Sequence, residues 1–418
     1  MQMKYQNKQE LPLTGMRVID ATHIVAGPFC SMILADMGAE VIKVERPLTG
    51  ELARKNAPMI TNDSGESVSA RFLSVNRNKK SIALDLRNPT CKEAFTNILK
   101  ESDVLLDNWG PGSFARLGFD YDTLQTINPR LIYATITGYG NLPSNSPYGG
   151  WPANNLNAQA MGGWMEITGD SDRAPKQVGD NIGDSVPGVW TALAIVLALQ
   201  SRNKTGQGQF IDMAMYDCMA AHMVSAMSHF EATGEITSRS RENVVNAQLT
   251  LKTNDGYVVL AGAGPSTGGE SKFRELWNLL DRNDLINDPR YLGIDIPGDF
   301  YFSNIMPEIE KWSINKTRME VTSELTKLGF SMGLVQNAKD LYNCPQLLSR
   351  EMFTEVENTI GGRFRTVATP INLQGCINPP SNDPPKLGSN TVEILSSLGK
   401  LNEEQISYLE QNRLISQK

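Results

Sequence analysis

Histidine is nearly absent, with three residues in 418: His23, His222 and His229. So small a supply gives little support to a Ser-His-Asp mechanism or a histidine-built metal site, and it shifts any chemistry toward carboxylates and backbone amides. Cysteine is scarce as well. Cys30, Cys91, Cys218, Cys344 and Cys376 are odd in number, far apart and without CxxC spacing. That pattern suggests neither a disulfide framework nor a zinc site and fits a reducing cytoplasm. Positive charge is not in excess either: the formal net charge is -7, whereas surfaces that track nucleic-acid phosphates are usually basic. No GxxxxGK[ST], HExxH, repeat or low-complexity stretch occurs. The first ten residues are polar and lack an apolar signal core. The apolar run Val189–Leu199 falls short of the roughly 20 residues that span a bilayer, so it reads as a buried helix. The expectation is a cytoplasmic protein that uses no metal and partners neither nucleic acid nor membrane.

What is present is an ordinary globular composition, 40% hydrophobic and 20% charged. The length predicts two domains. Arg17–Thr22 and Glu40–Glu45 read as strands around a Gly27-Pro28 break, a helix over Phe29–Met37 and a stop at Gly38. Further strands are expected at Ser81–Asp85, Val104–Asp107 and Leu131–Ile136, with a helix at Lys92–Glu101. This alternation implies an α/β fold with a Rossmann-like parallel sheet covered on both faces. Ligands of such sheets gather at the carboxyl ends of the strands, where His23, Arg46 and Asn108 fall. Later, Phe210–Met215 reads as a strand and a Met-rich helix runs through His229, so His222 and His229 share a face. Ala247–Thr253 and Tyr257–Leu260 flank an Asn-Asp-Gly turn and form a hairpin. With helices from Ser271 to about Leu328, the hairpin predicts a smaller α+β domain. Expected boundaries are 1–215 for the large domain, 216–330 for the small domain with its linkers, and 331–418 for a return to the large domain. Helices are expected near Ser389–Leu398 and Asn402–Gln411.

Three constellations compete for chemistry. Asn76-Arg77-Asn78-Lys79-Lys80, with Arg87 beyond it, reads either as a phosphate-binding cluster or as a solvated loop. Gly262–Gly268 is glycine-rich but does not have GxGxxG spacing. The third is Gly183-Asp-Ser-Val-Pro-Gly188, placed before the apolar run and followed by the hairpin-like Lys204-Thr-Gly-Gln-Gly-Gln209. Asp184 or Ser185 suits a turn or a helix N-cap, and Asp184 equally suits a nucleophile at a helix mouth.

The chain resembles a family III CoA-transferase across nearly its whole length. The resemblance rests on Leu13-Thr-Gly-Met-Arg-Val-Ile-Asp20, His23-Ile-Val-Ala-Gly-Pro28, Met37–Arg46 and Asn78–Asp85. It continues through Asp107-Asn-Trp-Gly-Pro-Gly112, Arg116-Leu-Gly-Phe119, Gly138-Tyr139, Gly183-Asp-Ser185 and Lys204–Gln209. It implies an interlocked homodimer, coenzyme A bound as acyl-CoA substrate, a carboxylic acid co-substrate, and Asp184 as nucleophile. By position it implies that Arg46, Leu84, Arg87, Asn108, Trp109, Arg116 and Leu117 contact the nucleotide. His23, Val25 and Ala26 would lie near the pantetheine and thioester. Three departures limit what the resemblance implies: Thr137 stands where the formyl-CoA transferase has a lysine, so oxalate specificity is not implied; Arg241–Asn246 stands where some members have a glycine run that covers the intermediate, so that lid is not implied; and Gly388-Ser-Asn-Thr391 replaces a more usual Gly-Glu-His-Thr. Alternatives within the same fold are an acyl-CoA racemase and an intramolecular CoA-transferring isomerase. Racemases of the superfamily carry a histidine where this chain has Asn154. A non-catalytic acyl-CoA binder is a further alternative.

Overall fold

The computed structural model describes residues 8–142, 146–237, 239, 249–261, 269–292 and 300–417. Two compact units form: Met1–Thr168, Pro175–Ala232 and Ser349–Lys418 make one, and Gly169–Ala174 with Thr233–Leu348 make the other. The first begins with β1 (Arg17–Ala21), α1 (Ala26–Asp36), β2 (Glu40–Glu45), the short hairpin β3 (Met59–Thr61) and β4 (Ser67–Ser69), and α2 (Ala70–Val75). There follow β5 (Lys79–Leu84), α3 (Pro89–Lys100), β6 (Val104–Asp107), α4 (Ser113–Arg116), α5 (Tyr121–Ile127) and β7 (Ile132–Thr137). Next come α6 (Asn155–Met161), α7 (Ile182–Thr205), β8 (Phe210–Ala214), α8 (Met215–Ala221) and α9 (Val224–Thr233). The second unit carries β9 (Leu249–Thr253), β10 (Gly256–Ala261), α10 (Gly269–Leu279) and β11 (Ser331–Leu334), with helices Met306–Ser313 and Arg318–Lys327. The chain returns to the first unit with the hairpin β12 (Phe353–Asn358) and β13 (Gly362–Val367), helices Thr391–Ser397 and Glu403–Gln411, and β14 (Ile415–Ser416).

The main sheet has seven strands in the order β14-β5-β2-β1-β6-β7-β8. All pair in parallel except β14, which joins the β5 edge antiparallel, so the sheet is mostly parallel rather than wholly so. Side chains alternate across it, as a strand's period of two requires. Ile19, Leu105 and Tyr133 meet Phe95 and Ile98 of α3 and Leu395 and Leu409 of the C-terminal helices. Val18, Leu106 and Ile132 meet Cys30 and Leu34 of α1 and Ile195 and Leu199 of α7. The second unit packs its antiparallel β11-β10-β9 sheet on a separate core around Leu251, Val258, Trp277 and Ile309.

Several local expectations are corrected. Gly27-Pro28 does not interrupt the chain before α1; both lie in its first turn, where the missing proline N–H costs little. Asp184 is likewise inside a helix. α7 starts at Ile182 with Asn181 as N-cap, so neither Asp184 nor Ser185 is the cap. Lys204–Gln209 is not a hairpin: Gly206 closes α7 in the left-handed region (φ 75°), a conformation that glycine adopts without a Cβ penalty, and the chain passes into β8. His222 and His229 do not share one helix, because α8 ends at Ala221 and α9 begins at Val224. The Gly262–Gly268 stretch, Arg241–Asn246 and the first two residues of the expected hairpin lie outside the described residues.

α7 answers to the buried helix expected, along one of its faces. It has 24 residues and a mean hydropathy of 1.7 over its most apolar window, enough by length and composition to cross a membrane. One face nevertheless packs on α1 and the sheet, with Thr191, Ala192, Ile195 and Ala198 buried and Arg202 paired to Asp103 at 2.8 Å. The opposite face leaves Trp190, Leu193 and Leu197 exposed by 39%, 46% and 60%. A sheet covers only one side of a helix lying on it, so an apolar run longer than one face leaves the rest open.

Candidate active site

Strand order reverses between β1 and β6: β2 and β5 extend from one side of β1, and β7 and β8 from the other side of β6. A crevice at such a reversal, outside the carboxyl strand ends, is where doubly wound sheets take ligands. The loops leaving these strands are tied together. His23 N–H donates to Asn108 Oδ1 at 2.9 Å, and Asn108 Nδ2 donates back to the His23 carbonyl at 2.9 Å. Burial lowers the His23 pKa below its ordinary value, with Lys43 and Arg46 acting the same way and Glu51 and Asp20 opposing. The imidazole is therefore neutral at neutral pH.

Asp184 lies in the first turn of α7, a helix that packs on α1. Gly183 N–H donates to Asn155 Oδ1 at 2.8 Å, and a Cβ on Gly183 would lie 2.4 Å from the Asn155 carbonyl oxygen. A Cβ on Gly188 would lie 2.8 Å from the Ala26 carbonyl oxygen. The two glycines thus let α7 touch α6 and the first turn of α1. Asp184 is one turn before Gly188, on the helical face that meets the first turn of α1 at Gly188. No hydrogen bond or ion pair with any described residue engages its carboxylate. Burial pushes its pKa up to about 6, and the Arg71 guanidinium pulls the other way. An ionised carboxylate with no partner and a raised pKa is a better nucleophile than a paired one.

The other residues singled out from sequence lie along the carboxyl ends of the four adjacent strands β5, β2, β1 and β6. Val25 and Ala26 are buried at the start of α1, whose N-cap Val25 offers no side-chain acceptor to the helix amides. Arg46 is exposed just beyond β2. Arg87 is exposed and paired to Asp85 at 2.7 Å. Arg116 is exposed and donates to Ser113 Oγ at 2.9 Å. Trp109 is half-buried with its ring 5.0 Å from that of Phe114, and Leu117 packs on the same core. Leu84 has its side chain in that core, which leaves only its backbone for a ligand. Asp107 ends β6 with its pKa pushed up to about 6 by burial, and Tyr133 Oη donates to it at 2.6 Å. It borders a cavity of about 250 Å³ that also involves Ser113, Phe119 and Thr137. A larger cavity of about 960 Å³ includes Gly38, Glu40, Asn78 and Lys80, at the amino ends of β2 and β5 and away from these residues.

Apart from the exposed Arg87, the basic cluster at Asn76–Lys80 is neither of the two things its sequence suggested. Arg77 is buried and paired with Asp36, Lys79 is buried against Asp20, and only Lys80 is near the surface, on Glu40 and Glu393. Residues that sequence reasoning missed include Arg71, half-buried with no hydrogen bond or ion pair from its guanidinium to a described residue. Glu51, which accepts from Ile24 N–H at 3.1 Å, was missed as well. Neither sits in a pattern that marks it; Arg71 is a lone charged residue in Ser-Ala-Arg-Phe-Leu.

The chain is similar to known proteins over nearly its whole length. A succinyl-CoA:mesaconate CoA-transferase of Haloarcula hispanica is 34% identical, over 93% of this chain and 96% of its own. A succinate–glutarate CoA-transferase of Agrobacterium fabrum is 30% identical over 93% and 96%. The crystal structure of a CAIB/BAIF family protein from Brucella suis superposes with a TM-score of 0.82 at 31% identity, covering 93% of this chain and all of that one. The sequence pattern of CoA-transferase family III matches residues 13–391, and the chain belongs to that family of enzymes.

Proposed function

We propose that this enzyme moves CoA from an acyl-CoA to a short dicarboxylic acid through covalent intermediates on Asp184. The observation that carries the reading is an unpartnered, half-buried carboxylate at the start of α7, on the helical face that meets the first turn of α1. Asp184 attacks the donor thioester carbonyl; the C–S bond breaks, giving an aspartyl–acyl anhydride and CoA thiolate. The thiolate attacks the aspartyl carbonyl, forming an aspartyl-CoA thioester and releasing the donor acid. The acceptor carboxylate attacks that thioester, forming a new anhydride, and CoA thiolate returns to the acyl carbon. Product leaves and Asp184 is again a carboxylate. Each step exchanges one acyl bond for another, which avoids net hydrolysis. The first-turn amides of α1, Ala26 and Gly27, suit the oxyanions, because helix N-termini present N–H groups and positive potential.

Arg46, Arg87 and Arg116 suit the CoA phosphates, as guanidinium donors form strong pairs with phosphate oxygens. Trp109 offers an apolar platform. Asn108 and the backbone of Leu84 lie along the same edge with Leu117, while His23, Val25 and Ala26 line the thioester end. Arg71 pulls on Asp184 without an ion pair to it, which suits it to the far carboxylate of a dicarboxylic substrate. The mesaconate, succinate and glutarate in the relatives' names are dicarboxylates of this kind. The exposed apolar stripe of α7 suits a second copy of the chain in the interlocked dimer that the family resemblance implies. Racemisation fits less well: the Asn154 side chain accepts from the N–H groups of Leu156 and Asn157 as the cap of α6, and an amide shuttles no protons.

A panel of acyl-CoA donors and carboxylic acids, read by mass spectrometry of the CoA products, tests the reading. Exchange with short dicarboxylates and no solvent deuterium at the α-carbon is expected. Deuterium uptake without an acceptor acid would replace transfer with racemisation, and CoA binding without turnover would make the protein a binder.

A further inference from the structure

Three ionisable side chains are sealed beneath the loop that leaves β1. Asp20 and Lys43 are 0% exposed and Lys79 is 6% exposed. Burying charges is costly even when they are paired, so apolar residues of similar size would be the cheaper choice for stability alone. What they hold is specific. Lys43 Nζ donates to the Thr22 carbonyl at 2.9 Å, and Lys79 Nζ donates to the Pro28 carbonyl at 3.0 Å. Asp20 Oδ1 accepts from Thr22 N–H at 2.9 Å and from Thr22 Oγ1 at 2.5 Å, and its Oδ2 accepts from Ser31 Oγ at 2.7 Å and from Lys79 at 3.0 Å. The segment Thr22–Pro28 is therefore gripped at both ends.

That segment is under strain between the grips. Ile24 has φ 69°, in the left-handed region that β-branched residues avoid. Gly27 sits so close to Thr22 that a Cβ on it would lie 2.3 Å from the Thr22 Cβ. Strained loops persist only where their surroundings over-determine them, and such loops cluster at active sites.

We propose that Lys43, Asp20 and Lys79 form a buried positioning unit for CoA transfer, clamping Thr22–Pro28 so that the Ala26 and Gly27 amides stay aimed at the reacting carbonyl. The proposal rests on the function proposed above. All three are buried, so they act through the loop and are positioning residues rather than catalytic ones. Lys79 is the titratable member. Its ammonium has three N–H bonds and meets three acceptors: Asp20 Oδ2, the Pro28 carbonyl and Asn76 Oδ1, the last at 2.8 Å. It faces Asp20 on β1, Lys43 on β2, Asn76 after α2, Cys30 and Ser31 on α1, and the charge of Glu51. Burial lowers its pKa to about 8 against the pull of Asp20. Burial also raises the Cys30 thiol out of the working range, so Cys30 does not titrate with it. Above about pH 8 the neutral amine has two N–H bonds for three acceptors, and the clamp loosens.

The test measures kcat and acyl-CoA KM from pH 6 to 9 for the unaltered enzyme and for Lys79→Met. The unaltered enzyme should lose kcat on a basic limb near pH 8. Lys79→Met should lower kcat by roughly 10- to 100-fold, the cost of a misplaced reacting group, with KM nearly unchanged and the limb gone. Lys79→Met leaves Asp20 paired with the buried Lys43 at 3.8 Å, and Lys79→Gln, which keeps two N–H bonds for the three acceptors, is measured beside it. That variant should fold and show the same loss of kcat. A kcat within twofold of the unaltered enzyme in the folded variants, a change confined to KM, or an unmoved basic limb overturns the proposal. Failure of the unaltered enzyme to exchange CoA with any acid would instead remove the function on which the proposal rests.

Discussion

Replacing Asp184 with asparagine is expected to do two opposite things at neutral pH: abolish CoA exchange and make the protein more stable. Its carboxyl rises from an ordinary 3.8 to about 6 because burial strips water from the charged form more than Arg71 compensates. A rise of that size corresponds to about 3 kcal/mol. The sign is opposite to that of a salt-bridged aspartate. Below about pH 4 the group is neutral whether folded or unfolded, and ionisation costs the fold nothing. Between about 4 and 6 the unfolded chain gives up this proton first, so stability falls as pH rises. Above about 6 the whole penalty is present. Asparagine has nearly the same shape and no charge, so the variant should gain up to about 3 kcal/mol at pH 7 and little at pH 4. Urea unfolding of both proteins at the two pH values reads this directly. Exchange should fall on the order of 10⁴-fold or more, as for loss of other covalent nucleophiles, while acyl-CoA still binds. The unaltered enzyme should lose kcat/KM below about pH 6. An asparagine variant that exchanges CoA at near the unaltered rate, or that is destabilised at pH 7, refutes the reasoning.

Two further expectations follow from neighbouring features. Arg71→Leu should raise KM for dicarboxylic acceptors by roughly tenfold or more, the worth of a charged hydrogen bond, and leave monocarboxylic acids unaffected. It should also move the acid limb upward, since Arg71 opposes the rise of Asp184; an acid limb that stays in place counts against their proximity. The proposed dimer predicts a sizing mass of twice the 46.0 kDa chain. Leu197→Glu, on the exposed stripe of α7, should weaken that assembly; a monomer mass for the unaltered protein would exclude it.

Much of this architecture is legible in the sequence because local rules dominate it. The strands at Val18, Val104 and Ile132 are short apolar runs, and the alternation with helices dictates a parallel sheet. Failures fall where a long-range contact overrides a local signal. Gly27-Pro28 and Gly183–Gly188 look like breaks, yet both lie inside helices. Their glycines serve close packing against Thr22, Asn155 and Ala26 rather than turning the chain. The Asn76–Lys80 cluster reads as a surface of positive charge, yet Asp36 and Asp20 draw two of its members inside. No local pattern announces a partner 41 or 59 residues away.

By itself the sequence determined the class of chemistry. Scarce histidine directs attention to a carboxylate, the order of motifs places the chain in its family, and strand-helix alternation sends the loops of His23, Arg46 and Asn108 to one edge of a sheet. Only the tertiary structure decided the state of the groups there. Whether Asp184 is paired or free, whether Lys79 faces water or Asp20, and whether Arg71 acts on anything are matters of burial and of distances between segments far apart in the chain. Desolvation and Coulomb energies depend on those distances, and a one-dimensional pattern does not contain them.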